Sequence, residues 1–259
     1  MEDAYIVSFG RSAFTKAKKG GFRNVRTDDL AVDIIRQLIA NTKGLEPSMV
    51  DDLLVGCANP EGEQGLQVGR QIAIRALGQS VPGVTVNRYC ASGLETIAMA
   101  TAKIRAGMGR CFVAGGIESM SQIPMEGYKL ALNYQVADEH PDYLIGMGLT
   151  AEAVAAKYGV TREDQDRFSL ESHLKAKAAI DRGAFGREIF PVSIREVFVE
   201  AGKKKEMSKT IVRDEGIRAD TTLEALAALK PVFSTKGSVT AGNSSQTTDG
   251  VAFVVVMAK

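Results

Sequence analysis

Over the first 116 residues, short apolar runs alternate with stretches whose apolar positions repeat at helical spacing. Tyr5-Ile-Val-Ser-Phe9 predicts a short strand. Leu30, Ile34, Leu38 and Ile39 fall on one face of a helix that Thr27 is expected to cap. Asp52-Leu-Leu-Val-Gly56 predicts a buried strand, residues 67–77 a helix, and Val84-Thr-Val-Asn87 the next strand. A helix over about 91–106 follows, in which Leu94, Ile97, Ala98, Thr101 and Ile104 keep helical spacing and which Gly107 and Gly109 end. Arg110-Cys-Phe-Val-Ala114 predicts another strand. Strand and helix in alternation argue a layered α/β fold, with a largely buried sheet covered by helices.

From Gly115 the rhythm breaks. Gly115-Gly-Ile-Glu-Ser-Met-Ser121 reads as a turn-rich exit, and residues 124–148 show little periodicity. Helices are expected over 150–158 and from Thr161, where Thr161 and Asp164 form a capping-box pattern, to a stop at Gly183. Residues 192–222 look charged and irregular, and a short helix over 223–229 ends before Pro231. Gly237-Ser-Val-Thr-Ala-Gly-Asn-Ser-Ser245 is a Gly/Ser/Thr-rich loop, and Val251 to Met257 a last apolar strand. This pattern predicts one α/β domain, residues 1–116 and 236–259, carrying a mainly helical insertion over 117–235.

Composition changes this picture little. Of 259 residues 45% are apolar and 24% charged, and the net charge is +1, so no overall field draws the chain to nucleic acid or membrane. No apolar stretch approaches the ~18 residues of a membrane span. The acidic start, Met1-Glu-Asp, does not resemble a secretory leader. Lys203, Lys204 and Lys205 read as a solvated loop. Three widely spaced cysteines, Cys57, Cys90 and Cys111, suggest reduced thiols in the cytoplasm, and with His140 and His173 they complete no metal-ligand spacing.

Of the three, Cys90 has the context of a nucleophile. In Val84-Thr-Val-Asn-Arg-Tyr-Cys-Ala-Ser-Gly-Leu94 an apolar strand runs into the cysteine and a helix starts at once. A helix N-terminus favours the thiolate, which is the attacking form. The small neighbours Ala91, Ser92 and Gly93 leave room over the sulfur, and a strand-to-helix turn is the geometry of a nucleophile elbow. A buried structural cysteine is the competing reading here, and the favoured one for Cys57 and Cys111.

Val86-Asn-Arg-Tyr-Cys-Ala-Ser-Gly-Leu94 resembles the nucleophile segment of thiolases, and Gly115-Gly-Ile-Glu-Ser-Met-Ser121 the glycine-rich segment that follows it. Met147-Gly-Leu-Thr-Ala-Glu152, Arg162-Glu-Asp-Gln-Asp166, Gly237-Ser-Val-Thr-Ala-Gly-Asn243 and Asp249-Gly250 are similar to further thiolase signatures. The Asn-Arg-Tyr-Cys wording and Pro60-Glu-Gly-Glu-Gln-Gly65 look most like degradative 3-ketoacyl-CoA thiolases. The resemblance runs through essentially the whole chain. It implies an acyltransferase of β-oxidation in which Cys90 attacks a 3-ketoacyl-CoA, releases acetyl-CoA and passes the acyl group to CoA. It also implies a CoA-binding loop domain, with Met147, Arg218, Leu229, Phe233, Ala241 and Ser245 at the cofactor contacts. CoA enters as a substrate, and no tightly bound cofactor or metal is implied.

The resemblance further implies a second α/β half, absent from this chain, that brings the activating histidine, a second cysteine and an asparagine; without it the chain alone is expected to be inactive. That half is expected in the same protein or in a separate chain, and the family implies homo-oligomers. Gly146 stands where some members carry a histidine, and Ile117 where a smaller residue is common. Alternatives are an acetoacetyl-CoA-forming thiolase, a non-catalytic CoA- or lipid-binding module, and a condensing enzyme acting on acyl carrier protein, against which the long insertion argues.

Overall fold

Apolar alternation in the strands and apolar stripes on the helices assemble one mixed sheet with helices on both faces. The computed structural model describes residues 2–200 and 202–259. Met1, the first residue of the acidic start, and Ala201 lie outside them. In chain order the elements are β1 (Ala4–Arg11), β2 (Thr15–Lys16), α1 (Thr27–Asn41), β3 (Asp52–Gly56), α2 (Val68–Ala76), β4 (Gly83–Val86), α3 (Ser92–Arg105) and β5 (Cys111–Ser119). Then come α4 (Tyr134–Glu139), α5 (Met147–Tyr158), α6 (Arg162–Asp181), β6 (Val192–Glu200), β7 (Lys203–Ile211), α7 (Leu223–Ala227) and β8 (Thr248–Ala258). The chain divides into two compact units. The first holds residues up to Tyr128, Gly186–Glu215 and Thr247–Lys259, and the second Lys129–Phe185 and Gly216–Gln246.

In the first unit the strand order is β1-β8-β5-β3-β4, with β2 added beside β8. β3 runs parallel to β4 and β5, while β8 is antiparallel to β5 and β1. β3 is buried along its whole length, as a central strand covered on both faces must be. One face carries Leu53, Val55, Val113, Val251, Phe253 and Val255 against Leu30, Ile34, Ile35 and Leu38 of α1 and Ile72 and Ala73 of α2. The other carries Leu54, Phe112, Ala114 and Val256 against Ala100 and Ile104 of α3.

Several expectations are corrected by packing. Thr27 begins α1 without capping it; its hydroxyl donates instead to Gln64 Oε1 at 3.0 Å. In α3 the buried stripe is Ser92, Thr96, Ala100 and Ile104, whereas Leu94 and Ala98 are exposed. Small side chains at fourfold spacing let the helix lie close to the sheet. Gly115 to Ser119 is no turn but the continuation of β5, paired with β3 and β8. A Cβ on Gly115 would strike the Ala252 carbonyl oxygen, so the glycine serves close strand approach.

The segment read as irregular over 192–222 holds an antiparallel hairpin, β6–β7, in register from Val192↔Ile211 to Glu200↔Lys203. Val192, Ile194 and Ile211 enter the core beside α1, which draws 186–215 out of the expected insertion and into the first unit. Arg11 ties the hairpin's ends to β1, bonding Glu188 (2.9 Å) and Asp214 (2.7 Å). Lys203, Lys204 and Lys205 lie on exposed β7 rather than in a loop, and Lys205 and Arg195 pair across the hairpin with Glu200 and Glu206. Charges hid a two-residue alternation that one buried face still obeys. The other boundary also moves, because Gly216–Gln246 joins the second unit, including residues 236–246 expected in the sheet domain.

Candidate active site

The turn from β4 into α3 is held by its own side chains. Tyr89 has φ of 46°, the left-handed region, which costs a non-glycine residue about 1–3 kcal/mol unless its surroundings enforce it. Asn87 Oδ1 accepts the Tyr89 N–H at 2.9 Å. Ser92, buried at the start of α3, accepts the Arg88 N–H (2.8 Å) and donates its hydroxyl to the Tyr89 carbonyl (2.6 Å). The Ser92 N–H donates to that same carbonyl at 3.0 Å. Between these clamps the Cys90 thiol is exposed. α3 opens at Ser92, two residues after Cys90, so Cys90 stands at the end of the helix that carries partial positive charge.

Two neighbouring strands form the floor under this turn. A Cβ on Gly56, at the end of β3, would stand 2.6 Å from the Ser92 carbonyl carbon, so only glycine lets α3 approach this closely. Thr96 donates to the Gly93 carbonyl (2.7 Å) and is 3.1 Å from that of Gly115, fastening α3 to β5. Beside the turn, Gln64 is fully buried and uses its whole amide. Its Oε1 accepts from Thr27 (3.0 Å) and from the Ser119 N–H (2.7 Å), and its Nε2 donates to Asn59 O (2.9 Å) and Glu118 Oε1 (2.7 Å).

The other thiols are of a different kind. Cys57 is buried, and burial, helped by the Glu118 charge, pushes its pKa up to about 12. Burial, with Asp51 adding to it, raises that of buried Cys111 to about 11. Both are protonated at neutral pH, and Cys90 alone among the three is exposed.

The second unit is built around a network of polar side chains. Glu152 on α5 accepts the Ser238 (2.9 Å) and Val239 (2.9 Å) N–H groups. Burial opposes ionisation there, but these bonds and the Ser238 hydroxyl outweigh it and lower the Glu152 pKa. Arg162 on α6 pairs with Asp166 (2.8 Å) and donates to the Leu226 (2.6 Å) and Leu229 (3.0 Å) carbonyls, closing the C-terminal end of α7. Asn243 completes the network, donating to Asp166 Oδ1 (3.0 Å) while accepting the Thr240 N–H (2.7 Å). The loop over 228–245 is thereby fixed to α5 and α6.

The family described as "Thiolase, N-terminal domain" matches residues 4–259 of this sequence. The chain belongs to the thiolase family. It is 48% identical over 261 residues to the 3-ketoacyl-CoA thiolase of Bacillus subtilis, covering 99% of this chain and 66% of the relative. Against that of Saccharophagus degradans the identity is 42%, over 98% of this chain and 64% of the relative. Against the peroxisomal 3-ketoacyl-CoA thiolase 1 of Arabidopsis thaliana it is 40%, over 99% and 58%. This thiolase chain therefore spans slightly less than two thirds of the length of the curated relatives it matches.

The structure places the residues singled out from the thiolase resemblance in both units. Cys90 lies in the first unit, whereas Met147, Arg218, Leu229, Phe233, Ala241 and Ser245 all lie in the second. Met147 opens α5 with an exposed side chain, and a Cβ on the adjacent Gly148 would meet the Phe233 ring, so these positions are neighbours. Leu229 is exposed and lies against Gly242, the residue that follows exposed Ala241. Arg218 is exposed, its N–H donating to His173 Nδ1 at 3.2 Å, and Ser245 is exposed with its hydroxyl 3.2 Å from the Gln246 carbonyl. Gly146 precedes α5 with open space where its Cβ would stand. Ile117 is core, buried in β5 opposite Val251. Sequence reasoning missed Asn87, Gln64, Glu118, Glu152, Arg162, Asp166 and Asn243 as individual side chains. All seven stand inside the motifs quoted above, but except for the Arg162–Asp166 pair the partners that fix them include residues far away in sequence.

Proposed function

We propose that this chain supplies the nucleophile and the CoA-binding region of a 3-ketoacyl-CoA thiolase. Cys90 attacks the 3-keto carbonyl, and the C2–C3 bond breaks. Its electron pair leaves on the acetyl-CoA enolate, which takes a proton, and the acyl group stays as a thioester on Cys90. A CoA thiol then displaces it, restoring the cysteine. The observation that carries this reading is the exposed Cys90 on its clamped turn at the head of α3, in contrast to Cys57 and Cys111, which burial keeps protonated. The relatives named as 3-ketoacyl-CoA thiolases support the reaction.

For CoA, Arg218 suits the anionic nucleotide end, and Phe233, Leu229 and Met147 suit the apolar part of the pantetheine arm. Ser245 and Ala241 complete the contacts, the hydroxyl bonding an amide of the arm. A second α/β half, in the same polypeptide or another, completes the acid–base chemistry. The greater length of the relatives supports this, as do the exposed Ile6, Phe9 and Leu94 in the first unit, apolar surface of the kind that a partner covers. We place the reaction in fatty-acid degradation in the cytoplasm, with a homo-oligomeric enzyme; the free thiols suit a reducing compartment.

Incubation with a short-chain acyl-CoA, followed by peptide mass mapping, tests the assignment. An acyl adduct on Cys90, absent in Cys90→Ala and discharged by added CoA once the remaining thiolase half is supplied, is expected. An adduct on Cys57 or Cys111 with Cys90 left free would refute it. CoA binding without acylation, unchanged when the remaining thiolase half is supplied, would favour the binding-module reading.

A further inference from the structure

The bonds that set the Cys90 turn continue beyond it. Asn87 uses both ends of its amide: Oδ1 accepts the Tyr89 N–H at 2.9 Å and Nδ2 donates to the Ala58 carbonyl at 2.9 Å. An N–H on one side and a carbonyl on the other leave one orientation of the amide. The Ala58 N–H donates to Glu118 Oε2 at 2.8 Å, and Glu118 Oε1 accepts from buried Gln64 at 2.7 Å. A continuous chain therefore runs from the interior, through Glu118 and the loop after β3, to the left-handed Tyr89 and its neighbour Cys90.

We propose that Asn87 is a positioning residue for Cys90, and that Glu118, through the Ala58 peptide, anchors Asn87. This rests on the reading of Cys90 as the nucleophile. The residue type follows from the geometry. Aspartate lacks the donor and serine is too short to reach Ala58, whereas a planar amide of this length offers donor and acceptor on opposite sides. Asn87 is exposed, where exchanging bonds with water is nearly neutral, so these bonds supply direction more than stability. Without them Tyr89 relaxes from φ of 46°, and the thiol that follows it swings away from the head of α3.

The test compares this chain with Asn87→Ala, measuring iodoacetamide alkylation of Cys90 across pH 6–9 by peptide mass mapping. Thermal unfolding and protection of Cys57 and Cys111 are followed in parallel. Asn87→Ala, which loses both bonds, is expected to slow Cys90 alkylation at neutral pH by about 5–10-fold. Its pH profile should move, with the melting temperature and the buried thiols unchanged. Should Asn87→Ala fail to fold, Asn87→Ser, whose hydroxyl can still accept the Tyr89 N–H but not reach Ala58, serves instead and is expected to show a smaller slowing that still exceeds twofold. A Cys90 rate and pH profile within twofold of the parent, in a folded variant, overturns the positioning role. A lower melting temperature with the Cys90 profile unmoved also overturns it, since that is what a purely structural residue gives. If Cys90 is not the fastest-labelled thiol in the parent, the nucleophile reading fails first and this proposal falls with it.

Discussion

Gly56→Ala isolates the dependence of the Cys90 turn on close packing. The added methyl would stand 2.6 Å from the Ser92 carbonyl carbon and 2.8 Å from Gly93 N and Ser92 Cβ. Ordinary contacts begin near 3.4 Å, so the overlap is roughly 0.8 Å, and it is with backbone that cannot turn aside. Either α3 lifts from the sheet or β3 bends, and overpacking of this kind costs about 1–3 kcal/mol. With a urea slope of roughly 2 kcal/mol per molar, the midpoint falls by about 0.5–1.5 M. Labelling of Cys57, buried and next in sequence, reports opening of this unit directly and avoids treating the two units as one transition. Gly93→Ala is the matched control. Among the described residues nothing beyond its own helix lies within 4 Å of the added methyl, and alanine in a helix is better than glycine by about 0.5–1 kcal/mol, so its midpoint should hold or rise. Because Ser92 is the clamp of the turn, Gly56→Ala should slow Cys90 alkylation as well. Equal midpoints for Gly56→Ala and Gly93→Ala would refute the close-approach argument.

The pKa of Glu152 is lowered in the folded chain, so its contribution to stability is complete above the ordinary glutamate value of 4.5 and is lost as the pH falls through the lower folded value. Protection of the Ser238 and Val239 amides, taken against their intrinsic exchange rates, should fall in that acid window, and Glu152→Gln should flatten the dependence; an unchanged profile counts against the network. Arg218→Ala is expected to weaken CoA binding by about 1–3 kcal/mol, a loss that shrinks with added salt, and equal affinity by calorimetry would remove Arg218 from the site. Cys57 and Cys111, with thiols at about 12 and about 11, should resist iodoacetamide at pH 7–8 until the chain is denatured, and labelling of either ahead of Cys90 in folded protein would contradict their burial.

Local pattern was enough for the strand–helix rhythm of the first 116 residues. β3 matches the expected Asp52–Gly56 run, α1 buries Leu30, Ile34, Leu38 and Ile39, and the Thr161–Asp164 capping box opens α6. These signals are carried by residues within a turn or two of one another, so sequence alone determines them. The hairpin β6–β7 was not legible, because the charges of its exposed face mask an alternation that matters only once Val192, Ile194 and Ile211 have a core to enter. Likewise the unit boundaries follow from which segments pack together, not from where the rhythm changes. At the candidate site, the strand-to-helix context of Cys90 stood in the sequence, but its bracing did not. Asn87 finds Ala58, Gln64 finds Glu118, and Glu152 finds Ser238 only after the chain has folded, since each pair is separated by 29 to 86 positions. A hydrogen bond between residues so far apart leaves no periodic trace in either stretch. The sequence determines which side chains are available, and the tertiary fold decides which of them meet.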